Sequence, residues 1–143
     1  MKVLISACLL GQYCRYDGKV KKYEQIKKLL GRKDIQLIPV CPEQLGGLPT
    51  PREPSERRGS QVITKTGRDV TKEYQRGAAG ALYYARLFHC ELAVLKEKSP
   101  SCGSGRIYDG TFSRTLTDGE GVTAEVLRQA GLKIIGESDL ASF

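Results

Sequence analysis

The sequence predicts an α/β fold, a single domain over residues 1–143 in which helices flank a mainly parallel, Rossmann-like sheet. Short apolar segments with β-branched residues alternate with amphipathic helical segments, which is typical of parallel strands joined by crossover helices. The 143 residues are 40% hydrophobic and 27% charged, which suits one globular domain with its own hydrophobic core. No linker, internal repeat or low-complexity segment divides the chain.

Short apolar runs predict the strands of the sheet. They are KVLISACLL at 2–10, IQLIPVCP at 35–42, ELAVLKEKSP at 91–100 and LKIIGES at 132–138. The first run is almost continuously apolar, so we expect it to be buried on both faces. Pro39 cannot donate a ladder hydrogen bond, so the second run belongs at an edge or ends there. Residues 43–60 have no period and are predicted as a loop, and residues 61–70 as a short strand or hairpin.

Three segments have helical periodicity. Residues 22–31 place apolar side chains on one face and end at a glycine. The longest helix is predicted from Val70 to His89. Residues 117–131 carry a capping-box signal from Thr117 to Glu120.

The longest predicted helix contains two interior glycines, Gly77 and Gly80. Each costs about 1 kcal/mol relative to alanine in a helix interior. Close approach of a neighbouring backbone would offset that cost, so we expect a tight contact at this helix.

The charge and hydropathy of the chain limit where the protein is located and which partners it binds. The formal net charge is +7, which favours phosphate-bearing partners or only aids solubility. No apolar run approaches the roughly 20 residues of a membrane span. The apolar start is short and is followed by CRYDGK, so we expect a buried strand rather than a signal peptide, and a cytoplasmic protein. Five cysteines in such a chain argue against a disulfide framework and for metal, redox or catalytic use.

Three cysteines, Cys8, Cys41 and Cys102, each fall at or just after the end of a predicted strand. Because the carboxyl ends of parallel strands meet at one edge of a sheet, we expect the three thiols to converge. Three thiolates suit a catalytic zinc that keeps a water ligand, or a [4Fe-4S] cluster with one iron left open to a soft sulfur ligand. The alternative is that they are small buried hydrophobic residues.

The remaining cysteines and the histidine have other predicted roles. Cys14, in GQYCRYDGK, is near Cys8 and is a fourth ligand, a persulfide carrier or a loop thiol. Cys90 lies in an apolar segment and is predicted to be an inert packed thiol. His89 is predicted as a packed or solvent-facing residue at a helix end.

Three residues beside these cysteines are candidates for proton transfer. Glu43 follows Cys41 by two positions, and Ser99 and Ser101 precede Cys102. A carboxylate next to a desolvated metal site is well placed as a general acid or base. The alternatives are a solvated loop acid for Glu43 and turn or capping roles for the serines.

Two loops are candidates for substrate binding. Arg52, in PREPSERR, either contacts a phosphate, as Arg57 and Arg58 also could, or belongs to a solvated charge run. Gly103 and Ser104, in CGSGRIYDG, either offer backbone amides to an anion or only form a turn. The segment lacks the GxxxxGK[ST] pattern, which argues against a nucleoside triphosphate.

Three long motifs together resemble those of the prokaryotic thiouracil desulfurase family, formerly a family of unknown function. They are SACLLGxxCRYDG at 6–18, PVCPEQLGGLPTPR at 39–52 and KxxSPSCG at 96–103. They occur in the family order, and the segment VTAEVLRQAGLKIIGESDL also resembles the family, so the resemblance covers nearly the whole chain.

The resemblance implies one iron–sulfur desulfurase-like domain and an enzyme that cleaves a C–S bond. It implies a [4Fe-4S] cluster held by Cys8, Cys41 and Cys102, whose fourth iron lacks a protein ligand and takes the sulfur of a thiolated uracil. Water then gives uracil and sulfide with no net redox change. Glu43 and Ser99 match the acid/base residues, with Ser101 as the second choice.

Several alternatives stay open at this point. The substrate is a free 2- or 4-thiouracil, a thiolated nucleotide or a thiolated tRNA. A sulfur transferase on the same cluster is a second candidate function, in which Cys14 would matter. A metal-containing module that binds nucleic acid without chemistry is a third.

Overall fold

A computed structural model describes the backbone of residues 1–142 and the side chains of residues 1–140. Its strands and helices alternate along the chain. In order they are β1 (Lys2–Ser6), α1 (Glu24–Leu30), β2 (Gln36–Val40), α2 (Pro42–Leu45), β3 (Ser55–Arg58), β4 (Gln61–Thr64), α3 (Thr71–Leu87), β5 (Leu92–Leu95), β6 (Arg106–Tyr108), β7 (Leu116–Asp118), α4 (Val122–Gln129) and β8 (Lys133–Gly136). Two 3-10 segments, Ala7–Leu10 and Glu137–Ser142, follow β1 and β8.

Four parallel strands form the central sheet in the order β2-β1-β5-β8, which confirms the predicted α/β class. Pro39 lies in β2 at the edge of this sheet, as its missing N–H requires. The carboxyl ends of all four strands share one edge, so the segments that follow them are brought together.

Helices cover both faces of the sheet, because side chains alternate along each strand. Leu4 packs with Ala81 of α3 and Leu127 of α4 in one apolar cluster. Ile5, the next residue, packs on the opposite face with Ile26 of α1. In the part of the chain that the structure describes, no helix has both the length and the apolar character to cross a bilayer.

The predicted tight contact at the longest helix is observed at Gly77. A Cβ atom there would collide with the carbonyl of Pro42 in α2, and one at Gly46 would collide with the carbonyl of Glu73 in α3. The two helices therefore touch backbone to backbone. This contact fixes α2, and with it the segment that carries Cys41.

The prediction for residues 43–60 needs correction, while the short strand predicted within residues 61–70 is confirmed as β4. The predicted loop contains most of α2 and all of β3, which pairs antiparallel with β4. Pro42 at the first position starts the one-turn helix, because its fixed φ suits that place. Strand β3, SERR, is polar and is recognisable only through its pairing partner.

Other element ends also differ from prediction. The third sheet strand ends at Leu95, so residues 96–100 are not strand. The longest helix begins at Thr71 and ends at Leu87. Strand β6 lies in CGSGRIYDG, for which a turn is one of two interpretations, and β7 overlaps the start of the helix predicted over residues 117–131. The two strands form a separate antiparallel ribbon.

The predicted capping box from Thr117 to Glu120 is wrong. Thr117 lies in β7, and α4 begins at Val122 after Gly121, with no side-chain cap bond. The first amides of α4 find backbone acceptors instead. They donate to the turn after β5 through the bonds Val122 N to Pro100 O at 2.9 Å, Thr123 N to Ser101 O at 2.8 Å and Ala124 N to Ser101 O at 3.1 Å.

Candidate functional site

A cavity of about 570 Å³ is lined by residues that follow the carboxyl ends of the sheet strands. This volume lies in the range of small-molecule binding sites. Four cysteines contribute to its lining, namely Cys8, Cys14, Cys41 and Cys102. The structure thus brings together the three thiols that topology predicted to converge, and it adds a fourth.

Each of the three predicted cysteines is placed by a turn that ends a sheet strand. Cys8 lies in the 3-10 segment after β1, which ends at Gly11 in the left-handed region with φ of 87°. Cys41 lies between β2 and α2, and Cys102 lies in the turn after β5. Cys102 is buried, with 3% of its surface exposed, whereas Cys8 and Cys41 are half-buried.

Cys14 is buried beside two of these residues. Its side chain hydrogen-bonds with Cys41 and Cys8, and these contacts, followed by burial, raise the pKa of the Cys14 thiol. The same contact with Cys14 lowers the pKa of Cys41. Of the three roles left open for Cys14, the free loop thiol does not fit this position.

Cys102 has a different environment. Burial raises the pKa of its thiol most, and the negative charge of Glu43 raises it further, while hydroxyl contacts from Ser6 and Ser101 act in the opposite direction. A thiolate at this position therefore needs a nearby positive charge, which a bound metal centre would supply.

Glu43 is held at the cavity wall by an ion pair with Arg52. Glu43 Oε2 lies 3.1 Å from Arg52 Nη2 and 3.6 Å from Cys41 Sγ. Arg52 Nη2 also donates to the carbonyl of Cys14 at 3.0 Å, and Nη1 donates to Thr50 Oγ1 at 3.1 Å. The guanidinium of Arg52, a predicted phosphate ligand, is therefore occupied by groups of the protein. The position of Arg52 suits it to hold the carboxylate of Glu43 in one orientation.

The two candidate serines have different surroundings. Ser99 lines the cavity, and its Oγ lies 3.5 Å from Glu43 Oε1. That Oγ also accepts N–H bonds from Ser101 and Cys102, both at 3.1 Å. Ser101 is fully buried and its hydroxyl pairs with Thr123 at 2.8 Å. Ser99 is therefore the serine with access to a ligand, and Ser101 packs beneath it.

The structure does not bring Gly103 and Ser104 to the cavity lining. The N–H of Gly103 already donates to the carbonyl of Ser99 at 2.8 Å, so it is not free for an anion. Ser104 is exposed on the surface. We therefore leave both residues out of the substrate site proposed below.

Four further candidates also lie elsewhere or have other partners. Arg57 donates to the carbonyl of Glu120 at 2.7 Å, and Arg58 donates to that of Gly110 at 2.7 Å, so both guanidinium groups serve the fold. Cys90 packs in an apolar cluster, and His89 is exposed after α3.

Sequence reasoning missed two groups of lining residues. Tyr74 of α3 is buried at the cavity, and burial, followed by the charge of Glu43, raises its pKa. The sequence placed it only within the longest predicted helix, from Val70 to His89. Phe112 and Arg114 reach the cavity from the β6–β7 connection. No element was predicted over residues 111–116, so no signal in the sequence pointed to these two residues.

The lining residues fit an iron–sulfur cluster better than a single metal ion. Among the residues that the structure describes, no three His, Cys, Asp or Glu side chains are grouped so as to hold one ion. The mononuclear zinc site left open above is therefore not preformed. Cysteines distributed around a cavity suit a cluster, because each thiolate binds a different iron. No histidine is among the described lining residues, and sulfur is the ligand that such clusters use.

Comparison with known proteins agrees with this site chemistry. A solved structure of the [4Fe-4S]-dependent thiouracil desulfidase TudS (DUF523Vcz) matches with a TM-score of 0.91 and 46% identity, over 99% of this chain and 93% of that one. The uncharacterized protein YbbK of Bacillus subtilis (strain 168) is 45% identical over 148 residues, which is 96% of this chain and 97% of YbbK. The family model for 2-thiouracil desulfurase matches residues 3–139. The chain therefore belongs to the 2-thiouracil desulfurase family.

Proposed function

We propose that this chain removes sulfur from a thiolated uracil and releases uracil and sulfide, with no net change in oxidation state. The observation that carries the proposal is the cavity in which four cysteines adjoin a carboxylate and a serine hydroxyl. Membership of the 2-thiouracil desulfurase family supports the same reaction.

We further propose that Cys8, Cys41 and Cys102 hold a [4Fe-4S] cluster, with one iron left without a protein ligand. The matched TudS structure is described as [4Fe-4S]-dependent, which supports this assignment. When bound, the cluster would supply a Lewis-acidic iron with affinity for sulfur, which polarises the C–S bond.

Glu43 is the proposed general base and acid. Its Oε2 is engaged by Arg52, and we propose that Oε1, which faces the Ser99 hydroxyl, takes a proton from the water that attacks the ring carbon. The new C–O bond and the broken C–S bond convert the thiocarbonyl to a carbonyl. Both protons of the water finally reside on the released sulfide, so the charge and the atoms balance.

Ser99 assists at the same oxygen. Its Oγ is 3.5 Å from Glu43 Oε1, a long contact of the kind that tightens when a substrate binds. Two backbone N–H groups donate to this Oγ, so its own proton is directed away from the turn. We propose that the hydroxyl positions the attacking water or relays its proton to Glu43.

Basic side chains outnumber acidic ones in the cavity lining, which favours a phosphorylated substrate over a free base. Apart from Arg52, the basic residues are Arg15, Lys21, Lys65, Lys96, Lys98 and Arg114, and the acidic ones are Glu43, Glu53, Glu56 and Glu97. Of these, Lys96 is paired with Glu137 at 3.1 Å. We therefore propose a thiolated uracil nucleotide as the preferred substrate, and thiolated tRNA is tested against it below.

A sulfur transferase is the second candidate, because buried Cys14 contacts Cys8 and Cys41 in the same cavity. The reaction product distinguishes a sulfur transferase from a desulfurase. Desulfuration releases free sulfide, whereas transfer yields a newly thiolated acceptor.

Anaerobic reconstitution with iron and sulfide, followed by turnover assays, tests the proposal. The substrates are 2-thiouracil, 4-thiouracil, their nucleoside monophosphates and thiolated tRNA. We expect uracil and sulfide in equal amounts, with the highest kcat/KM for a monophosphate. A fully loaded protein that converts none of them would contradict the function, and a higher kcat/KM for tRNA would contradict the substrate assignment.

A further inference from the structure

We propose that Phe112 binds the flat face of the pyrimidine ring and thereby determines which substrates orient correctly in the cavity. The identity of that ring as a uracil rests on the function proposed above. The inference itself starts from the place of Phe112 in the fold.

Phe112 lies in the segment that connects β6 to β7 and lines the cavity together with the cysteines and Glu43. It is half-buried. Among the described residues, it belongs to none of the three apolar clusters, and no aromatic ring of that set pairs with it. An aromatic side chain at a cavity wall, outside the core, offers a free ring face to a ligand.

The connection between β6 and β7 has Phe112 at its tip, and this tip is hydrogen-bonded to β3. Glu56 is a buried carboxylate, and its Oε1 accepts the N–H of Gly110 at 2.9 Å and that of Phe112 at 3.1 Å. Arg58 Nε donates to the carbonyl of Gly110 at 2.7 Å. A Cβ atom at Gly110 would collide with the Arg58 side chain, so the tip fits closely onto the strand. Glu56 therefore acts as a positioning residue for Phe112.

The backbone at this tip is unusual. Phe112 has φ of 58° and Arg114 has φ of 61°, both in the left-handed region that bulky residues rarely adopt. Such conformations persist when the surrounding contacts hold them, and they concentrate at ligand sites. Here both residues with this geometry line the cavity.

The chemistry of the substrate matches an aromatic wall. A thiolated uracil is flat, and its sulfur and its ring carbon must both be positioned with respect to Glu43. Stacking on an aromatic side chain fixes the plane of a base without selecting a particular ring edge. Phe112 would therefore be a binding residue, and its loss should affect KM much more than kcat.

Phe112→Leu, which keeps an apolar side chain but removes the π face, tests the proposal. With 2-thiouracil and 4-thiouracil as substrates, we expect KM to rise by about five- to hundredfold and kcat to change by less than about twofold. Phe112→Tyr should restore a KM near that of the parent. Tyr83→Leu removes an exposed aromatic residue on α3 outside the lining, and serves as the matched control.

Equilibrium dialysis with uracil gives a readout that does not depend on turnover. Phe112→Leu should weaken uracil binding to the cluster-loaded protein by the same factor as KM. An unchanged KM and Kd in Phe112→Leu, or an equal loss in Phe112→Tyr, would overturn the proposal. If the loaded parent binds uracil through Phe112 but converts neither the thiouracils, nor their nucleoside monophosphates, nor thiolated tRNA, the proposed reaction is wrong and the ring-binding inference stands.

Discussion

Arg52 Nη2 bridges Glu43 Oε2 at 3.1 Å and the carbonyl of Cys14 at 3.0 Å, with both charged side chains largely buried. One guanidinium thus connects the proposed acid/base residue to the loop that carries the fourth cysteine. Removal of one member of a buried pair leaves the other charge unpaired, which makes this contact important for both stability and geometry.

Arg52→Ala should therefore destabilise the fold strongly. We expect a loss of about 3–5 kcal/mol in the free energy of unfolding, because Glu43 would remain buried without its partner. Urea unfolding of the cluster-free protein measures this. Arg128→Ala removes an exposed ion pair with Glu120 and is expected to have no measurable effect. Equal midpoints for the two variants would contradict the importance of the Arg52 contact.

Substitution of the cysteines should separate ligands from packing residues. We expect Cys8→Ala, Cys41→Ala and Cys102→Ala each to lose the cluster, because each removes a thiolate from the cavity. Iron content and visible absorbance after anaerobic reconstitution measure the loss. Cys90 lies in an apolar cluster, so Cys90→Ala should retain the iron content of the parent protein. Parental iron content in Cys102→Ala would remove that residue from the ligand set.

Glu43→Gln should retain iron and lose turnover. The amide preserves the shape and can still contact Arg52, but it cannot take a proton. General acid/base groups contribute about 10²–10⁴-fold, so we expect kcat to fall by about that factor. Undiminished kcat in a variant with full iron content would exclude Glu43 from proton transfer.

The two serines should respond differently to alanine. Ser99→Ala removes the hydroxyl near Glu43 Oε1, so we expect kcat to fall by about tenfold or more. Because the same Oγ accepts the N–H of Cys102, kcat is expressed per bound iron. Ser101→Ala leaves the buried Thr123 hydroxyl without its partner, and should lower stability by about 1–3 kcal/mol. Steady-state kinetics and urea unfolding on both variants check this division. The reverse pattern would exchange the roles of the two serines.

Two glycines of α3 form a matched pair. Gly77→Ala would place a methyl group against the Pro42 carbonyl, so we expect destabilisation of about 1–3 kcal/mol and reduced iron retention at neighbouring Cys41. At Gly80 the added Cβ would lie 3.5 Å from the Leu45 side chain, an ordinary contact. Gly80→Ala should therefore stabilise the fold, by up to about 1 kcal/mol. Thermal unfolding of the two variants measures the contrast, and similar shifts in both would contradict the backbone contact.

The sheet and the convergence of the cysteines were predictable, because both follow from apolar periodicity and parallel topology. Because the strand ends share one edge, Cys8, Cys41 and Cys102 were expected near one another, and all three line the same cavity. The close approach at Gly77 was also predictable, since an interior glycine is costly without such a contact.

Features built by long-range polar bonds could not be predicted in this way. Strand β3 has no apolar pattern, and the tip at Phe112 depends on Glu56, which lies 56 positions earlier. Arg52 was predicted either to contact a phosphate or to belong to a solvated charge run, and neither prediction identified its partner Glu43, which lies beside it only in the folded structure. Ser99 and Ser101 are two residues apart, and only the turn decides which faces the cavity.

The bonds from the first amides of α4 to the turn after β5 have a consequence for the order of assembly. The turn that carries Cys102 accepts bonds from residues that are synthesised about twenty positions later, so we expect the third thiol to be placed only after α4 has formed. A cofactor that needs all three thiols should then bind only after that helix has been synthesised. We expect ribosome-bound chains that end before Val122 to acquire no iron, which radioactive iron labelling of stalled chains would measure.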